Sequence, residues 1–384
     1  MGLTEGRAPR TIWKSPAALI RALAPDHPVM VLDTDRLAAT ARRFLEGFPG
    51  MVTYAVKANP DRAVIRTLVR AGITGFDVAS PAEIDLIGQL APGAARHYHN
   101  PVRARGEIRH AVAAGMQSWS VDSQSELDKL LAELPPQSEI AARFKLPVAG
   151  AAYDFGAKFG ATPDLAATLL RRIAAGGHRA SLTFHPGTQC TDPAAWESYI
   201  LAAAGIARAA GITLCRLNVG GGFPAHRLGA VPPQLEAIFA RIDHATSRAF
   251  GRQRPGLVCE PGRGLCADAF ALITRVKALR DGRAVFLNDG IYGGLTELPQ
   301  IGNLDRIEVL DPEGRPRHGP PLPRPVFGPT CDSLDRLPGE LPLPADLAEG
   351  DYLIFHGAGA YSTVTNTRFN GFGQMSRLFV KTVS

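Results

Sequence analysis

Residues 51–70 read MVTYAVKANPDRAVIRTLVR, a short β-branched and aromatic run followed by a segment with the period of a helix. The run VTYAV at 52–56 predicts a strand, and Asp61 is a suitable cap for the helix that follows it. The same order returns at 75–87, where GFDV precedes Ser80 and a second helical pattern. Strands that alternate with helices in this way predict a parallel sheet whose strands are connected by helices.

Eight runs of this kind occur along the chain, with Ala-, Leu- and Arg-rich stretches between them. They are VTYAV (52–56), GFDV (75–78), HYH (97–99), SWSV (118–121), AARF (141–144), LTF (182–184), RLNV (216–219) and GLVC (256–259). Eight parallel strands predict an α/β fold, a (β/α)8 TIM barrel, whose active site lies at the carboxyl ends of the strands. The positions at these ends are polar and comprise Lys57, Asp77, Asn100, Asp122, Arg143, His185, Gly220–Gly222 and Glu260.

A second domain is predicted after the barrel, because from about residue 266 the chain consists of short strands broken by proline and glycine. We expect the barrel to span 29–265, and an all-β domain, a β-barrel or a sandwich, to span 266–384 together with 1–28. The proline-rich stretch 316–325 is expected to be a loop between strands of the second domain.

The composition is that of an ordinary folded protein, with 45% hydrophobic and 20% charged residues among 384. The net charge of +6 comes from 42 Lys and Arg against 36 Asp and Glu, and the basic residues are scattered, which argues against nucleic-acid binding. No apolar run is long enough for a membrane span, and no signal segment is recognised at the amino terminus. The five cysteines form no Cys-x-x-Cys pair, so we predict a cytoplasmic protein with reduced thiols, without a disulfide framework or a metal site.

Several of the polar positions indicate one cofactor when they are taken together. A desolvated lysine such as Lys57 can form a Schiff base with an aldehyde, although a lysine past a strand end is more often a plain surface residue. The N–H groups of Gly220–Gly222 could approach a phosphate closely, with Arg263 beside them, although a tight turn without a ligand explains three glycines equally well. The ring of His185 could stack on an aromatic group, and Glu260 could bind a ring nitrogen. An amine, phosphate donors, a flat ring and a carboxylate together describe a site for pyridoxal 5'-phosphate.

Eight motifs carry a resemblance to a known family over nearly the whole chain. They are YAVKAN (54–59), FDVAS (76–80), FHPGTQC (184–190), NVGGGFP (218–224), EPGR (260–263), NDGIYG (288–293), GPTCDSLDRL (328–337) and GAYSTVTNTRFNGF (359–372). With these motifs in this order, the sequence resembles the ornithine/lysine/diaminopimelate decarboxylases, fold type III enzymes with an alanine-racemase-like barrel, and most of all their ornithine decarboxylase branch. The resemblance implies a lyase that uses pyridoxal phosphate to remove CO2 from a basic amino acid and release an amine.

The resemblance also implies roles for residues of the barrel. Lys57 is implied to bind the cofactor's aldehyde, His185 to stack on its pyridine ring and Glu260 to keep the ring nitrogen protonated. Asp77 and Arg143 are implied to lie near the lysine and the ring. The implied phosphate contacts are Thr188, Gly220, Gly221, Gly222, Arg263 and Tyr361. A charged pyridinium favours decarboxylation, because the carbanion left by CO2 delocalises into the ring, whereas the similar alanine racemase has an arginine in place of the carboxylate.

Residues of the second domain are implied to reach the active site of a partner, since members of this family are homodimers with shared active sites. Cys331 is implied to protonate the carbon that has lost CO2, and Asp332 to pair with a distal ammonium group of the substrate. Tyr292 is implied to bind substrate, and Phe369 to line the interface. A non-catalytic relative is disfavoured, because the lysine, the phosphate ligands and the cysteine are all present.

One stretch leaves the identity of the amino acid open. Ornithine decarboxylases carry a Tyr-Asp pair beyond the NDGxYG motif, and the corresponding residues here are Gln300 and Ile301. One partner for the distal amine is therefore missing, unless Glu297 supplies the charge. Asp332 favours ornithine or lysine as the substrate class. Arginine, diaminopimelate, a modified amino acid from a specialised pathway, or racemisation in the same fold are the alternatives.

Overall fold

The computed structural model of the protein describes residues 11–146, 158–229 and 231–383. The chain divides into two compact units. One unit, here called the barrel unit, contains the described parts of 38–225 and 232–265. The other, here called the sheet unit, contains the described parts of 1–37, 226–231 and 266–384.

The strands of the described chain are β1 (Ile12–Trp13), β2 (Val29–Leu32), β3 (Met51–Ala55), β4 (Gly75–Asp77), β5 (Ala95–Tyr98), β6 (Ser118–Val121), β7 (Glu139–Arg143), β8 (Arg179–Thr183), β9 (Arg216–Asn218), β10 (Gly256–Cys259), β11 (Phe270–Arg280), β12 (Ala284–Leu287), β13 (Ile307–Leu310), β14 (Pro321–Arg324), β15 (Val326–Phe327), β16 (Leu341–Pro344), β17 (Tyr352–His356) and β18 (Ser376–Val380). The helices are α1 (Pro16–Leu23), α2 (Thr34–Gly47), α3 (Arg62–Arg70), α4 (Pro81–Leu90), α5 (Arg105–Ala113), α6 (Gln124–Glu133), α7 (Pro163–Ala175), α8 (Pro193–Ala210), α9 (Leu235–Phe250), α10 (Arg263–Cys266) and α11 (Leu298–Ile301). None of the helices in the described ranges is long and apolar enough to cross a membrane.

The barrel unit is a closed ring of eight parallel strands in the order β10-β3-β4-β5-β6-β7-β8-β9. Each of the eight predicted runs overlaps one of these strands, so the predicted (β/α)8 barrel is confirmed. The register brings the ends of neighbouring strands to one level: Ala55 of β3 pairs with Asp77 of β4, and Asp77 pairs with His97 of β5. Residues that follow these strands therefore meet at one mouth of the barrel.

Local caps begin the helices that return the chain to the next strand. The Asp61 carboxylate accepts the N–H of Ala63 at 2.7 Å at the start of α3, and the Ser80 hydroxyl accepts the N–H of Glu83 at 3.3 Å at the start of α4. Glu83 in turn accepts the N–H of Ala79 at 2.7 Å. These bonds satisfy backbone donors that a helix leaves unpaired in its first turn.

The sheet unit contains a sheet in the order β1-β18-β2-β11-β12-β15, with β17 paired to β11 and β13. β2 pairs with β11 and β18, which explains why 29–37 belongs to this unit and not to the barrel, where we expected it. β1 also joins this sheet through β18. The expectation of a loop at 316–325 is wrong in part, because β14 pairs with β16 there.

A buried ion pair lies near the amino ends of three barrel strands. The Glu139 carboxylate of β7 accepts hydrogen bonds from the Ser181 hydroxyl of β8 at 2.8 Å and from Nε of Arg216 of β9 at 2.8 Å, and it also contacts Nη2 of Arg216. Glu139 is buried, so its charge depends on this guanidinium for compensation.

Replacing Arg216 should therefore destabilise the barrel. We expect Arg216→Met to lower the free energy of unfolding by about 3 kcal/mol, because it leaves the Glu139 carboxylate buried without its cation. The control is Arg241→Met, which breaks the exposed pair between Arg241 and Glu197 at 2.7 Å and should change stability by less than about 1 kcal/mol. Urea unfolding of the three proteins measures both effects, and equal losses in the two variants would contradict the assignment.

Candidate active site

Lys57 lies in a one-turn 3-10 helix, Val56–Ala58, directly after β3. The Tyr54 hydroxyl donates to the carbonyl of Asn59 at 3.0 Å, and the N–H of Asn59 donates to the carbonyl of Val56 at 3.1 Å, so the turn is tied to its own strand. The side chain of Lys57 is exposed, whereas we expected a desolvated lysine. The physical reason is its position in the turn that follows the strand, beyond the packed interior of the barrel.

Glu260 follows β10 and lies beside two side chains from other strands. Its Oε1 lies 2.6 Å from Nδ1 of His99, and the amide nitrogen of Asn218 donates to the same oxygen at 2.5 Å. Burial by itself raises the pKa of Glu260, but the charges of His99 and Lys57 and these hydrogen bonds together lower it below its ordinary value. Glu260 is therefore a carboxylate at neutral pH.

Asp77, the last residue of β4, is a second carboxyl group in the same mouth. Its side chain is buried, and one carboxyl oxygen, Oδ1, has no hydrogen-bond partner among the described residues. Burial, and then the negative charge of Glu260, raise the pKa of Asp77 above its ordinary value, while Lys57 acts in the opposite direction. An orphaned buried oxygen marks a position where a bound group would supply the missing partner.

His185 lies just after the end of β8, and Arg143 is the last residue of β7. The N–H of Gly187 donates to Nδ1 of His185 at 3.1 Å, which leaves the proton of the neutral ring on Nε2. Burial and then the positive charges of Arg143 and Lys57 lower the pKa of His185 to about 3, so this ring is neutral at neutral pH. The guanidinium of Arg143 lies 5.2 Å from the ring centroid of Phe159.

The glycines after β9 allow three loops to approach one another closely. A Cβ on Gly222, where φ is +86°, would lie 2.2 Å from the carbonyl oxygen of Gly187 in the loop after β8. A Cβ on Gly221 would lie 2.7 Å from the carbonyl oxygen of Glu260. Within the described chain, the N–H groups of Gly221 and Gly222 donate no hydrogen bond, so this loop offers backbone donors to an anion.

The other predicted phosphate contacts are divided between the two units. Thr188 is partly buried in the loop after β8, and Arg263 is buried at the first residue of α10. Tyr361 belongs to the sheet unit and has a positive φ of 65°.

The predicted substrate residues form a group of their own in the sheet unit. The Tyr292 hydroxyl donates to Asp332 Oδ2 at 2.5 Å, and the Tyr292 and Phe369 rings lie 5.2 Å apart. The N–H of Cys331 donates to the side-chain oxygen of Asn370 at 3.1 Å, and Cys331 is exposed. The hydrogen bond from Tyr292 lowers the pKa of Asp332, so Asp332 is a carboxylate at neutral pH.

The two residues that stand where ornithine decarboxylases have a Tyr-Asp pair, Gln300 and Ile301, lie in the short helix α11. Gln300 is exposed and Ile301 is partly buried there, and Glu297 lies just before the helix. Neither of the two aligned side chains carries a charge. The role of Glu297 stays a prediction.

Two residues of the barrel mouth were missed in the sequence. Asn218 lies in the NVGGGFP motif without a role of its own, and His99 was assigned only to the third strand run. The strand β5 ends at Tyr98, so His99 is the first residue past it and occupies the level at which the other functional side chains lie. That position is the available signal, whereas the sequence pattern places Asn100 at the strand end.

Replacing Gly222 should disrupt the anion-binding loop. We expect Gly222→Ala to lose bound pyridoxal phosphate, because the new Cβ would overlap the carbonyl oxygen of Gly187 and force the two loops apart. Gly177→Ala is the control, since Gly177 has a similar φ of +75° and no atom within 4 Å of a new Cβ. Visible absorbance of the bound cofactor and the melting temperature are measured for each. Equal cofactor loss in both variants would contradict the proposed loop packing.

The comparisons with known proteins agree with this geometry. Residues 34–267 match the family described as "Pyridoxal-dependent decarboxylase, pyridoxal binding domain". The chain is 32% identical to the ornithine decarboxylase of Panagrellus redivivus, over 94% of this chain and 88% of that protein. Its structure resembles the lysine/ornithine decarboxylase of Vibrio vulnificus bound to putrescine (27% identity, TM-score 0.78, 94% and 96% of the chains covered). It also resembles the arginine decarboxylase of Paramecium bursaria Chlorella virus bound to agmatine (26% identity, TM-score 0.82, 92% and 97% covered). This chain belongs to the pyridoxal-phosphate-dependent amino-acid decarboxylases.

Proposed function

We propose that the protein decarboxylates a basic amino acid of the ornithine or lysine class, as a cytoplasmic homodimer. The observation that carries the chemistry is the ionised Glu260, which lies among Lys57, His99 and Asn218 at the barrel mouth. The ionised Asp332 beside Tyr292 supports the substrate class.

The barrel residues fit pyridoxal phosphate. An amine that can condense with an aldehyde is present in Lys57, and the neutral ring of His185 has the flat shape needed to stack on a pyridine. The unpaired N–H groups of Gly221 and Gly222 suit a phosphate, with Arg263 as a further cation. The orphaned Oδ1 of Asp77 leaves an acceptor in the same mouth.

Glu260 determines which reaction these residues favour. As a carboxylate it would hold a proton on the ring nitrogen of the bound cofactor, because an ion pair in a buried site stabilises a protonated ring. Pyridoxal phosphate supplies an electron sink for the carbanion formed when CO2 leaves, and a protonated ring is the stronger sink. This favours decarboxylation over racemisation.

Asp332 and Cys331 act on the substrate side. Each oxygen of Asp332 accepts one hydrogen bond, from Tyr292 at 2.5 Å and from the N–H of Leu334 at 2.9 Å, and keeps a lone pair for a distal ammonium group. The exposed thiol of Cys331 can donate a proton to the carbon that has lost CO2.

A homodimer would bring this group to the barrel of a second copy. Large apolar side chains near it are exposed, with Phe369 at 43% and Leu334 at 70% exposure. Exposed apolar groups beside polar substrate residues are typical of a surface that another chain covers. The five free cysteines support a reducing compartment.

A substrate panel tests the reaction. We expect the purified protein with pyridoxal phosphate to release CO2 and the matching diamine from L-ornithine or L-lysine, and less from L-arginine, diaminopimelate or the D-enantiomers. Lys57→Ala is the inactive control. Preferential turnover of L-arginine would contradict the ornithine or lysine class and indicate a substrate with a longer cationic side chain. Racemisation without release of CO2 would refute decarboxylation.

Mixing two variants tests whether subunits share active sites. If each site takes Lys57 from one subunit and Cys331 from its partner, Lys57→Ala mixed with Cys331→Ala restores one intact site per mixed dimer. After subunit exchange we expect amine formation at about a quarter of the wild-type rate. A mixture no more active than the sum of the two variants, measured where both are dimeric, would contradict shared sites.

A further inference from the structure

The hydrogen bonds to the side-chain carboxylate of Glu260 are confined to one of its two oxygens. Oε1 contacts His99 and Asn218, whereas no residue of the described chain donates a hydrogen bond to Oε2. The Asn218 amide is oriented by its own oxygen, which accepts the N–H of Gly220 at 2.9 Å. Its nitrogen must therefore point to Oε1.

The same orientation defines the role of His99. The Asn218 nitrogen lies 2.8 Å from Nδ1 of His99, but an amide nitrogen only donates, so it cannot be the partner of a protonated Nδ1. A proton on Nδ1 has Glu260 Oε1 at 2.6 Å as its acceptor. Ser118 lies 3.0 Å from the other ring nitrogen, and the Ser120 hydroxyl donates to the His99 carbonyl at 2.8 Å, so ring and backbone are both held.

We propose that His99 is a positioning residue for the cofactor: by donating Nδ1–H to Oε1, it keeps Glu260 ionised and leaves Oε2 to accept the ring N–H. A carboxylate that already accepts two hydrogen bonds is a weaker base than a free one. With the cofactor bound, a proton shared between Oε2 and the ring nitrogen would therefore stay on the ring nitrogen. The inference rests on the cofactor and not on which amino acid is the substrate.

Four titratable groups interact with His99, and they set the background for a pH measurement. They are Asp77 of β4, His97 of β5, Glu139 of β7 and Glu260 after β10. His97 offers a matched control. Its ring stacks on that of His99 at 5.4 Å, it is buried, and neither of its ring nitrogens has a hydrogen-bond partner among the described residues.

The experiment compares wild type, His99→Leu, His99→Asn and His97→Leu, each reconstituted with pyridoxal phosphate labelled with 15N in the ring. The 15N resonance of the ring nitrogen is followed from mildly acidic to mildly alkaline pH. We expect wild type and His97→Leu to keep the pyridinium position throughout. His99→Leu should shift toward the neutral pyridine position, because Glu260 becomes a better base and takes the proton. His99→Asn, which keeps an N–H donor without the charge, should lie between them.

A turnover measurement on any accepted substrate accompanies the spectra. We expect kcat of His99→Leu to fall by about tenfold or more with KM nearly unchanged. Losses of this size are typical when a residue that hydrogen-bonds and orients a metal-ligating side chain is replaced. An unshifted resonance in His99→Leu with cofactor bound would overturn the inference. If that variant does not fold, an unshifted resonance in His99→Asn overturns it. The resonance needs no turnover, so an inactive panel of amino acids would refute the proposed substrate and leave this test intact.

Discussion

Closure of the barrel between its first and last strands is the constraint on which the site depends. Val258 of β10 pairs with Met51 of β3, and Cys259 pairs with Val52, so the chain segments after these strands leave at the same end. Glu260 and Lys57 lie far apart in the sequence, and this pairing is what brings their charges within reach of each other. The register of the other strands adds the remaining side chains to the same mouth.

The distribution of charge in that mouth follows from hydrogen bonding. Asp77 and Glu260 are both removed from water, and two neighbouring buried carboxylates do not both remain ionised easily. Glu260 keeps its charge because His99 and Asn218 donate to it, whereas Asp77 has an oxygen without a donor in the described chain. The two carboxyl groups thus differ in their tendency to ionise, because they have different hydrogen-bond donors.

The three consecutive glycines serve two purposes at once. Their lack of side chains lets the loops after β8, β9 and β10 pack at backbone contact distance, which is a structural requirement whether or not a ligand binds. The same packing leaves N–H groups of Gly221 and Gly222 without a partner in the described chain. The loop is therefore both a tight turn and a source of backbone N–H groups that can bind a phosphate.

The amino-acid sequence by itself determined the eight strands, the helix caps such as Asp61 and Ser80, and the strand-end positions of Lys57, Asp77, His185 and Glu260. These features depend on period and on contacts within a few residues, so they can be read locally. The strand-end residues taken together indicated the cofactor, and the resemblance to a family added the decarboxylation and the group around Cys331. Only the tertiary structure decided that β2 belongs to the sheet unit, that β14 is a strand, and that His99 and Asn218 bind Glu260. Those outcomes depend on which distant strands lie side by side, and no local pattern contains that information.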